Sequence, residues 1–502
     1  MPLDIIENLT GISFSDSNRD IILKTGGKPQ RVFPYLVNDF SKFAYFDTDL
    51  YYYTGKHYEP FTDFDIDRYI RRFYLEFSLE DKYNLSRARE IKAMIKYDPA
   101  ISKIKFDDYD NLVNLNNGVY NYDTKELLPH SHEYKFTYLI DVNYDKDKTE
   151  CPVFTKFLQG CFATSGTWED GFEYDKDVFE NIIRLCGYLL YPKNRIEGLF
   201  LFIGNGANGK SVLMDTIRLF FPEKYITNLS LNAISNEEGF LREKLIRSMI
   251  NFCTEQRGGS VNAEELKKVA SGEGLSVQRK YSTAMDVISR TKIIVSLNNA
   301  LYFNDNSYGI YRRLKMFYFK NKFVDVKDYE KEKNPESKGI FKKLDKAWLE
   351  GEIKKEKEAI FNLFLGGLER LRADEWNFVK SKNMEEILQE YKESSDTLGT
   401  WLSDNYEVGD EGFNFVSIEE VYKRFRTWYE DNFAKRCTYS SISVSKKIKD
   451  KFRFNDPIRA FEKDYNGRSV RRSGYPLKER TEELSANELL EKGFAETEDT
   501  LL

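Results

Sequence analysis

The feature that most constrains this chain is a glycine-rich loop between an apolar strand-like run and an amphipathic helix. Residues 199–203 form a short apolar run, and residues 212–220 place apolar side chains at helical spacing. Between them, residues 204–211 fit the full G-x-x-x-x-G-K-[ST] pattern. An ordinary Gly-Asn turn is the alternative, but the complete pattern between a strand and a helix favours a phosphate-binding loop.

Such a loop binds phosphate because its backbone N–H groups and the start of its helix point at phosphate oxygens. Lys210 is predicted to reach the β- and γ-phosphates, and the Ser211 hydroxyl is predicted to bind Mg²⁺. The expected cofactors are therefore ATP and Mg²⁺. The predicted nucleotide-binding residues are Gly204, Asn205, Gly206, Ala207, Asn208, Gly209, Lys210, Ser211 and Val212.

Length and composition bound the class of protein. The 502 residues are enough for about three or four domains. No CxxC pair occurs among the five cysteines, a pattern typical of reduced thiols in a cytosolic protein. No apolar run approaches the ~18 residues that a membrane span needs, so no membrane partner is expected. The net charge of −6 argues against uniform coating by nucleic acid but allows a local basic channel.

Three further β-like runs follow the loop, at residues 248–254, 291–297 and 314–319. Helical segments separate the earlier runs, so the fold class is predicted to be α/β with a mainly parallel sheet. Glu255 and Asn298 directly follow the first two runs, and the carboxyl ends of such strands face the ligand crevice. We expect Glu255 to bind Mg²⁺ or handle the attacking water, and Asn298 to orient that water.

Two groups of basic residues extend this arrangement. Arg312 and Arg313 lie just before the last β-like run. From there, one of them could contact the nucleotide of a neighbouring subunit as an arginine finger. Residues 264–281 read as a helix, a glycine turn and a short strand that carries Arg279 and Lys280. Projecting basic residues beside an aromatic side chain suit a DNA backbone.

The flanking regions read as separate domains. Residues 1–34 form an N-terminal extension, and residues 35–175 mix hairpin-like pieces with helices, which predicts an α+β domain. Residues 385–480 place small helices before a basic hairpin and predict a winged-helix-like DNA-binding domain, with a solvated basic face as the alternative. Residues 481–502 are acidic and predict a flexible tail.

Together these motifs resemble the superfamily 3 helicases, in their virus, phage and plasmid primase-helicase branch. The resemblance spans roughly residues 35–375. It is carried by the phosphate loop, Glu255, Lys267, residues 271–281, Asn298, residues 305–309, residues 312–314 and, upstream, residues 117–131.

The resemblance implies an AAA+-type core over residues 176–375 that forms a homo-hexameric ring and moves 3′-to-5′ on DNA during replication. It implies that Lys267 and Lys280 contact DNA in the ring channel, and that single-stranded and forked DNA are partners. A separate primase or initiator is a further candidate partner. The expected location is the cytoplasm of a bacterial host or the host-cell compartment of DNA replication.

Two departures from the family pattern matter. Many relatives have two acids in the second motif, whereas Thr254 precedes Glu255 here, so Glu255 could serve the metal, the water or both. Only about 34 residues precede the matched region, fewer than the ~100 of an ordinary catalytic domain, so no priming activity is expected on this chain.

Two other functions stay open. A small-molecule P-loop kinase would use the same loop, and hydrolysis stimulated by single-stranded DNA would distinguish the helicase from it. An origin-binding initiator would use ATP only for assembly, and strand displacement would distinguish the helicase from that.

Overall fold

The computed structural model describes residues 16–479 except 38, 47–48, 237–239, 255–262, 278–284, 299–307, 396, 411–413, 434–435, 438 and 464–467. The chain divides into two compact units, Met1–Leu388 and Gln389–Leu502. Among the described residues, no helix is both long enough and apolar enough to cross a bilayer.

The first part of the first unit pairs helices with a three-stranded antiparallel sheet. Its elements are α1 (Asp16–Leu23), α2 (Pro29–Leu36), β1 (Phe43–Phe46), β2 (Asp49–Tyr53), β3 (Tyr58–Pro60), α3 (Asp63–Glu76) and α4 (Leu85–Lys96). A capping box starts α3: the Thr62 side chain accepts from the Asp65 N–H, and the Asp65 carboxylate accepts from the Thr62 N–H. The buried face of α3, including Ile66 and Phe73, packs into an apolar cluster of this region alone.

The next region shares its core with the rest of the first unit. Its elements are β4 (Leu112–Leu115), β5 (Gly118–Asn121), β6 (Leu127–Leu128), α5 (Pro152–Cys161), β7 (Ala163–Thr167), β8 (Gly171–Tyr174) and α6 (Lys176–Leu190). One apolar cluster runs from Leu112 to Leu371, so the boundary predicted at residue 175 falls inside it.

A parallel sheet forms the centre of the first unit. The elements here are β9 (Leu199–Ile203), α7 (Lys210–Arg218), β10 (Ile226–Thr227), α8 (Leu231–Ile234), β11 (Ile250–Cys253), α9 (Ala263–Ser271), β12 (Gly274–Val277), β13 (Met285–Ile288), β14 (Lys292–Leu297), α10 (Tyr308–Tyr311) and β15 (Leu314–Tyr318). Five parallel strands follow the order β10-β11-β14-β9-β15, and β12 pairs with β13 as a separate antiparallel hairpin. The prediction of an α/β fold with a parallel sheet is confirmed.

The helices at the end of the first unit pack against α5, α6 and α7. The elements are β16 (Lys322–Val324), α11 (Val326–Tyr329), β17 (Ile340–Lys342), α12 (Lys346–Lys355) and α13 (Lys357–Ala373), and α14 (Lys382–Ser395) crosses the unit boundary. Helices α6 and α13 pack closely because each has a glycine at the contact. A Cβ on Gly187 would lie 2.3 Å from the Phe364 carbonyl oxygen, and a Cβ on Gly367 would lie 2.5 Å from the Ile183 carbonyl oxygen.

The second unit has its own apolar core. Its elements are α15 (Thr397–Asn405), β18 (Tyr406–Val408), β19 (Val416–Ser417), α16 (Ile418–Phe433), α17 (Ser441–Phe452), β20 (Ile458–Lys463), β21 (Ser469–Tyr475) and β22 (Leu477–Glu479). The core includes Leu402, Val421, Phe425 and Ile448, contributed by three helices. A three-stranded sheet has the order β19-β21-β20. The basic hairpin predicted at residues 468–475 is instead the single strand β21, which forms an antiparallel hairpin with the preceding strand β20.

Candidate nucleotide-binding site

The predicted phosphate loop joins β9 to α7 at the carboxyl edge of the parallel sheet. Gly209 precedes α7 with a φ of 88°, a conformation that glycine adopts without strain. A Cβ on Gly209 would lie 2.4 Å from the Cys161 Sγ, and a Cβ on Gly204 would lie 2.4 Å from the Phe319 carbonyl oxygen. Both ends of the loop therefore need glycine because α5 and the end of β15 approach it closely.

Lys210 is the buried cation of this loop. It is 5% exposed, and its Nζ donates to the Gly204 carbonyl and, at 3.2 Å, to the Asn208 Oδ1. Burial lowers the pKa of the Lys210 ammonium to about 8, because low-polarity surroundings disfavour the charged form. A phosphate group in the loop would supply a negative charge that the described neighbours of Lys210 do not.

A cleft of about 460 Å³ opens over the loop. Lys210 and Ser211 line its phosphate end, and the neighbouring strand ends contribute Thr254, Ser296 and Asn298. The structure thus brings the predicted residues Lys210, Ser211 and Asn298 to one cleft. Glu255, which follows Thr254, lies outside the described residues, as do Arg279 and Lys280.

The other walls of the cleft come from residues that no sequence motif marks. They include aromatic side chains of α5, the β7–β8 hairpin, β16 and β17: Phe157, Trp168, Phe172, Phe323 and Phe341. The Phe323 N–H donates to the Ala207 carbonyl at 2.7 Å, which attaches β16 directly to the phosphate loop. The abundance of aromatic residues was the only sequence signal for this pocket, and it gave no positions.

Arg312 and Arg313 lie at the opposite edge of the sheet. They directly precede β15, and Leu314, the first residue of β15, pairs with Leu199, the first residue of β9. The length of β9 therefore separates them from the loop, about 16 Å at ~3.3 Å per residue. Neither side chain is placed to act on a nucleotide bound by its own chain.

Arg313 connects this edge to the helix predicted to face DNA. It is 7% exposed; its Nε and Nη2 donate to the Ser271 Oγ at 2.9 and 2.7 Å, and its Nη2 lies 3.1 Å from the Glu197 carboxylate. Ser271 ends α9, the helix that carries the half-buried Lys267. Arg312 is the more exposed of the two arginines and lies 3.0 Å from the same Glu197 carboxylate.

Two family models match the first unit. One is described as D5 N terminal like and matches residues 48–163; the other is a family of unknown function, DUF5906, and matches residues 202–313. A protein of Acanthamoeba polyphaga mimivirus named "Putative helicase L207/L206" is 22% identical over 274 residues, 52% of this chain and 28% of that protein. The African swine fever virus (isolate Tick/Malawi/Lil 20-1/1983) protein "Putative primase C962R" is 21% identical over 349 residues, 65% of this chain and 34% of that protein.

The chain is a distant homologue of these viral proteins and contains a D5 N terminal like domain. The resemblance stated from the sequence is thereby confirmed, while the matched region spans about a third or less of the length of these relatives. The second family match begins in β9 and ends at Arg313, so it contains the phosphate loop, α9 and the arginine pair. Among solved structures, the apo NrS-1 C-terminal region aligns with 13% identity and a TM-score of 0.44, covering 86% of this chain and 96% of that chain.

Proposed function

We propose that this chain is an ATP-hydrolysing DNA helicase of the superfamily 3 type, with an AAA+-type core, that serves replication of a virus, phage or mobile element. The observation that carries the proposal is the cleft over residues 204–212, where a buried Lys210 faces the same space as Ser211 and Asn298. A triphosphate placed there would meet the ammonium, the loop N–H groups and the start of α7 together.

In this proposal the residues of the site have distinct tasks, and Glu255 has two. Lys210 stabilises the negative charge on the β- and γ-phosphates as the terminal phosphate leaves. Ser211 and Glu255 would hold Mg²⁺, which neutralises charge on the phosphate oxygens when it is bound. Ser211 suits this task because it is exposed in the cleft, in the first turn of α7. Asn298 orients the attacking water, and Glu255 also acts on that water.

A homo-hexameric ring explains the distance between the arginines and the loop. Arg313, or Arg312 in its place, would meet the γ-phosphate held by the adjacent subunit, since its own loop is at the other edge of the sheet. Lys267, Arg279 and Lys280 would contact the backbone of single-stranded DNA in the channel. Hydrolysis would shift α9 and the following hairpin along the strand, giving 3′-to-5′ movement.

The second unit supports a proposal of its own, a winged-helix-like contact with duplex DNA. Its order is a helix, two short strands, two helices, the β20–β21 hairpin and a last short strand. Lys446 and Lys449 of α17 are exposed, and so are Arg468 and Arg471 of the hairpin.

Charge reversal at Arg468 and Arg471 should weaken duplex binding and reduce its salt dependence, since each lost phosphate contact lowers the salt slope by about 1. Lys333→Glu, at an exposed lysine of the first unit, is the matched control.

The proposal is tested by measuring ATP hydrolysis with and without single-stranded DNA, strand displacement on a forked substrate, and the mass of the assembly. We expect stimulation by single-stranded DNA, displacement with 3′-to-5′ polarity and a hexameric mass. Hydrolysis indifferent to DNA would favour a kinase-like enzyme. Assembly on DNA without displacement would favour an origin-binding initiator.

The proposed location is the host-cell compartment where the element's DNA is replicated. The proposed partner is a separate primase or initiator.

A further inference from the structure

The cleft over the phosphate loop continues into a pocket with aromatic walls. Gly206–Lys210 line one end, and the aromatic side chains of α5, the β7–β8 hairpin, β16 and β17 line the other. The volume of about 460 Å³ lies within the range of pockets that bury small organic ligands. Glu169, Lys342, Lys343 and Lys346 also line the cleft, so a ligand that fills it has an anionic end and a flat end that carries polar groups.

Direct contacts attach these aromatic walls to the loop and to each other. Besides the bond from the Phe323 N–H to Ala207, the Asn321 Nδ2 donates to the Gly160 carbonyl at 3.1 Å and to the Ala163 carbonyl at 2.9 Å. Asn321 is 1% exposed, so this link between β16 and the start of the β7–β8 hairpin is protected from water. The walls are therefore fixed before a ligand enters, which reduces the ordering cost of binding.

Trp168 lies at the turn of the β7–β8 hairpin and is partly exposed. Its indole packs edge-on against Trp348 at 6.3 Å between ring centroids, and the Lys156 Nζ lies 5.5 Å from its ring. Phe172, on β8, packs edge-on against Phe341 of β17 at 5.8 Å. These contacts hold the two hairpin rings while both still line the cleft.

We propose that this pocket is the nucleobase subsite of the cleft and that Trp168 is its stacking residue. The inference rests on the proposed function, because it takes the triphosphate to be at Lys210. A heteroaromatic base offers a flat π-face to an indole, and alanine substitution of such a stacking residue costs about tenfold in affinity. The hairpin that precedes α6 thus supplies a binding residue that lies outside the phosphate-loop motif.

The test compares the dissociation constants of the full chain for Mg²⁺-ATP and for Mg²⁺-tripolyphosphate, which has the phosphates but no base. Trp168→Ala should weaken ATP about tenfold and tripolyphosphate less than about twofold. Trp168→Phe, which keeps an aromatic face, should stay within about threefold of the parent chain for ATP. Tyr97→Ala, which removes an exposed aromatic ring of the first unit that does not line the cleft, should leave both constants within about twofold.

Three results would overturn the inference: an unchanged ATP constant in Trp168→Ala, equal losses for both ligands in that variant, or the same loss of ATP affinity in Tyr97→Ala. Lys210→Ala separates this inference from the proposed function. It should weaken both ligands, because it acts on phosphate rather than on the base. If it weakens neither, the proposed function fails whatever Trp168 does.

Discussion

Lys210 and Arg313 lie at opposite edges of the same sheet, and the charges around them differ. Lys210 is buried against a carbonyl and an amide oxygen, and no counter-ion for it occurs among the described residues. Arg313 is buried against the Ser271 hydroxyl and the Glu197 carboxylate. The carboxyl edge thus offers an anion a buried cation that has no acidic partner within the described part of the chain. At the opposite edge, the cation is already neutralised and attached to α9.

This difference in charge suggests separate roles for the two edges in the proposed ring. In that ring the loop edge would bind the nucleotide, and the arginine edge would sense it from the next subunit while holding the end of α9. A change at the γ-phosphate would then reach the DNA-facing helix through one hydrogen-bonded contact, Arg313 to Ser271.

The largest effect is expected at the arginine edge. Arg313→Ala should lower hydrolysis about a thousandfold and leave DNA binding nearly intact, because arginine fingers act on charge at the transferring phosphate. Steady-state hydrolysis and DNA-binding titrations measure the two effects. Arg312→Ala is the matched control and should lose much less activity. The reverse ranking would assign the finger to the exposed Arg312.

Lys210→Ala should lower hydrolysis about a hundredfold or more, because it removes a cation aimed at charge that develops on the phosphates. Lys176→Ala, at an exposed lysine of α6, is the control and should hydrolyse ATP normally. A Lys210→Ala chain with parental turnover would show that the loop is not the active site.

The low pKa of Lys210 predicts a pH dependence of nucleotide binding. Below a pKa of about 8 the ammonium is present, and as pH rises through that value the free protein loses the charge that the triphosphate needs. The ATP dissociation constant should therefore rise about tenfold from pH 7 to pH 9. Lys210→Arg keeps its charge throughout, so its dissociation constant should stay flat. A parental constant that also stays flat would contradict the account of Lys210.

Ser271→Ala should have the smallest effect, a loss of a few-fold in hydrolysis, because it removes one neutral hydrogen-bond acceptor while Glu197 remains. We expect the stimulation by single-stranded DNA to fall more than the basal rate. Ser102→Ala, at an exposed serine that precedes β4 in the chain, is the control. Equal changes in basal and stimulated rates would show that Ser271 does not couple the two edges.

The parts of this site that the sequence predicts are local ones. The phosphate loop is contiguous, and the runs at 248–254, 291–297 and 314–319 contain β11, β14 and β15. Each of these strands is a mainly apolar and mainly buried segment, so its own residues identify it. The edge strand β10 has only two residues, too few to form a pattern.

The aromatic pocket could not be predicted, because its walls meet only through tertiary contacts. Phe172 and Phe341 are far apart in sequence, and Asn321 joins β16 to residues before position 165. The shared core from Leu112 to Leu371 likewise depends on packing between distant segments, so composition near residue 175 does not reveal it. The Ser271–Arg313 contact is of the same kind.

Mixing Arg313→Ala subunits with Lys210→Ala subunits tests the central claim most directly. The claim is that one subunit's loop works with its neighbour's arginine, so each variant alone should be nearly inactive. In a randomly mixed ring, about one interface in four pairs an intact loop with an intact arginine, so hydrolysis should return to a measurable fraction of the parental rate. No recovery in mixed rings whose co-assembly is verified by mass would contradict the account.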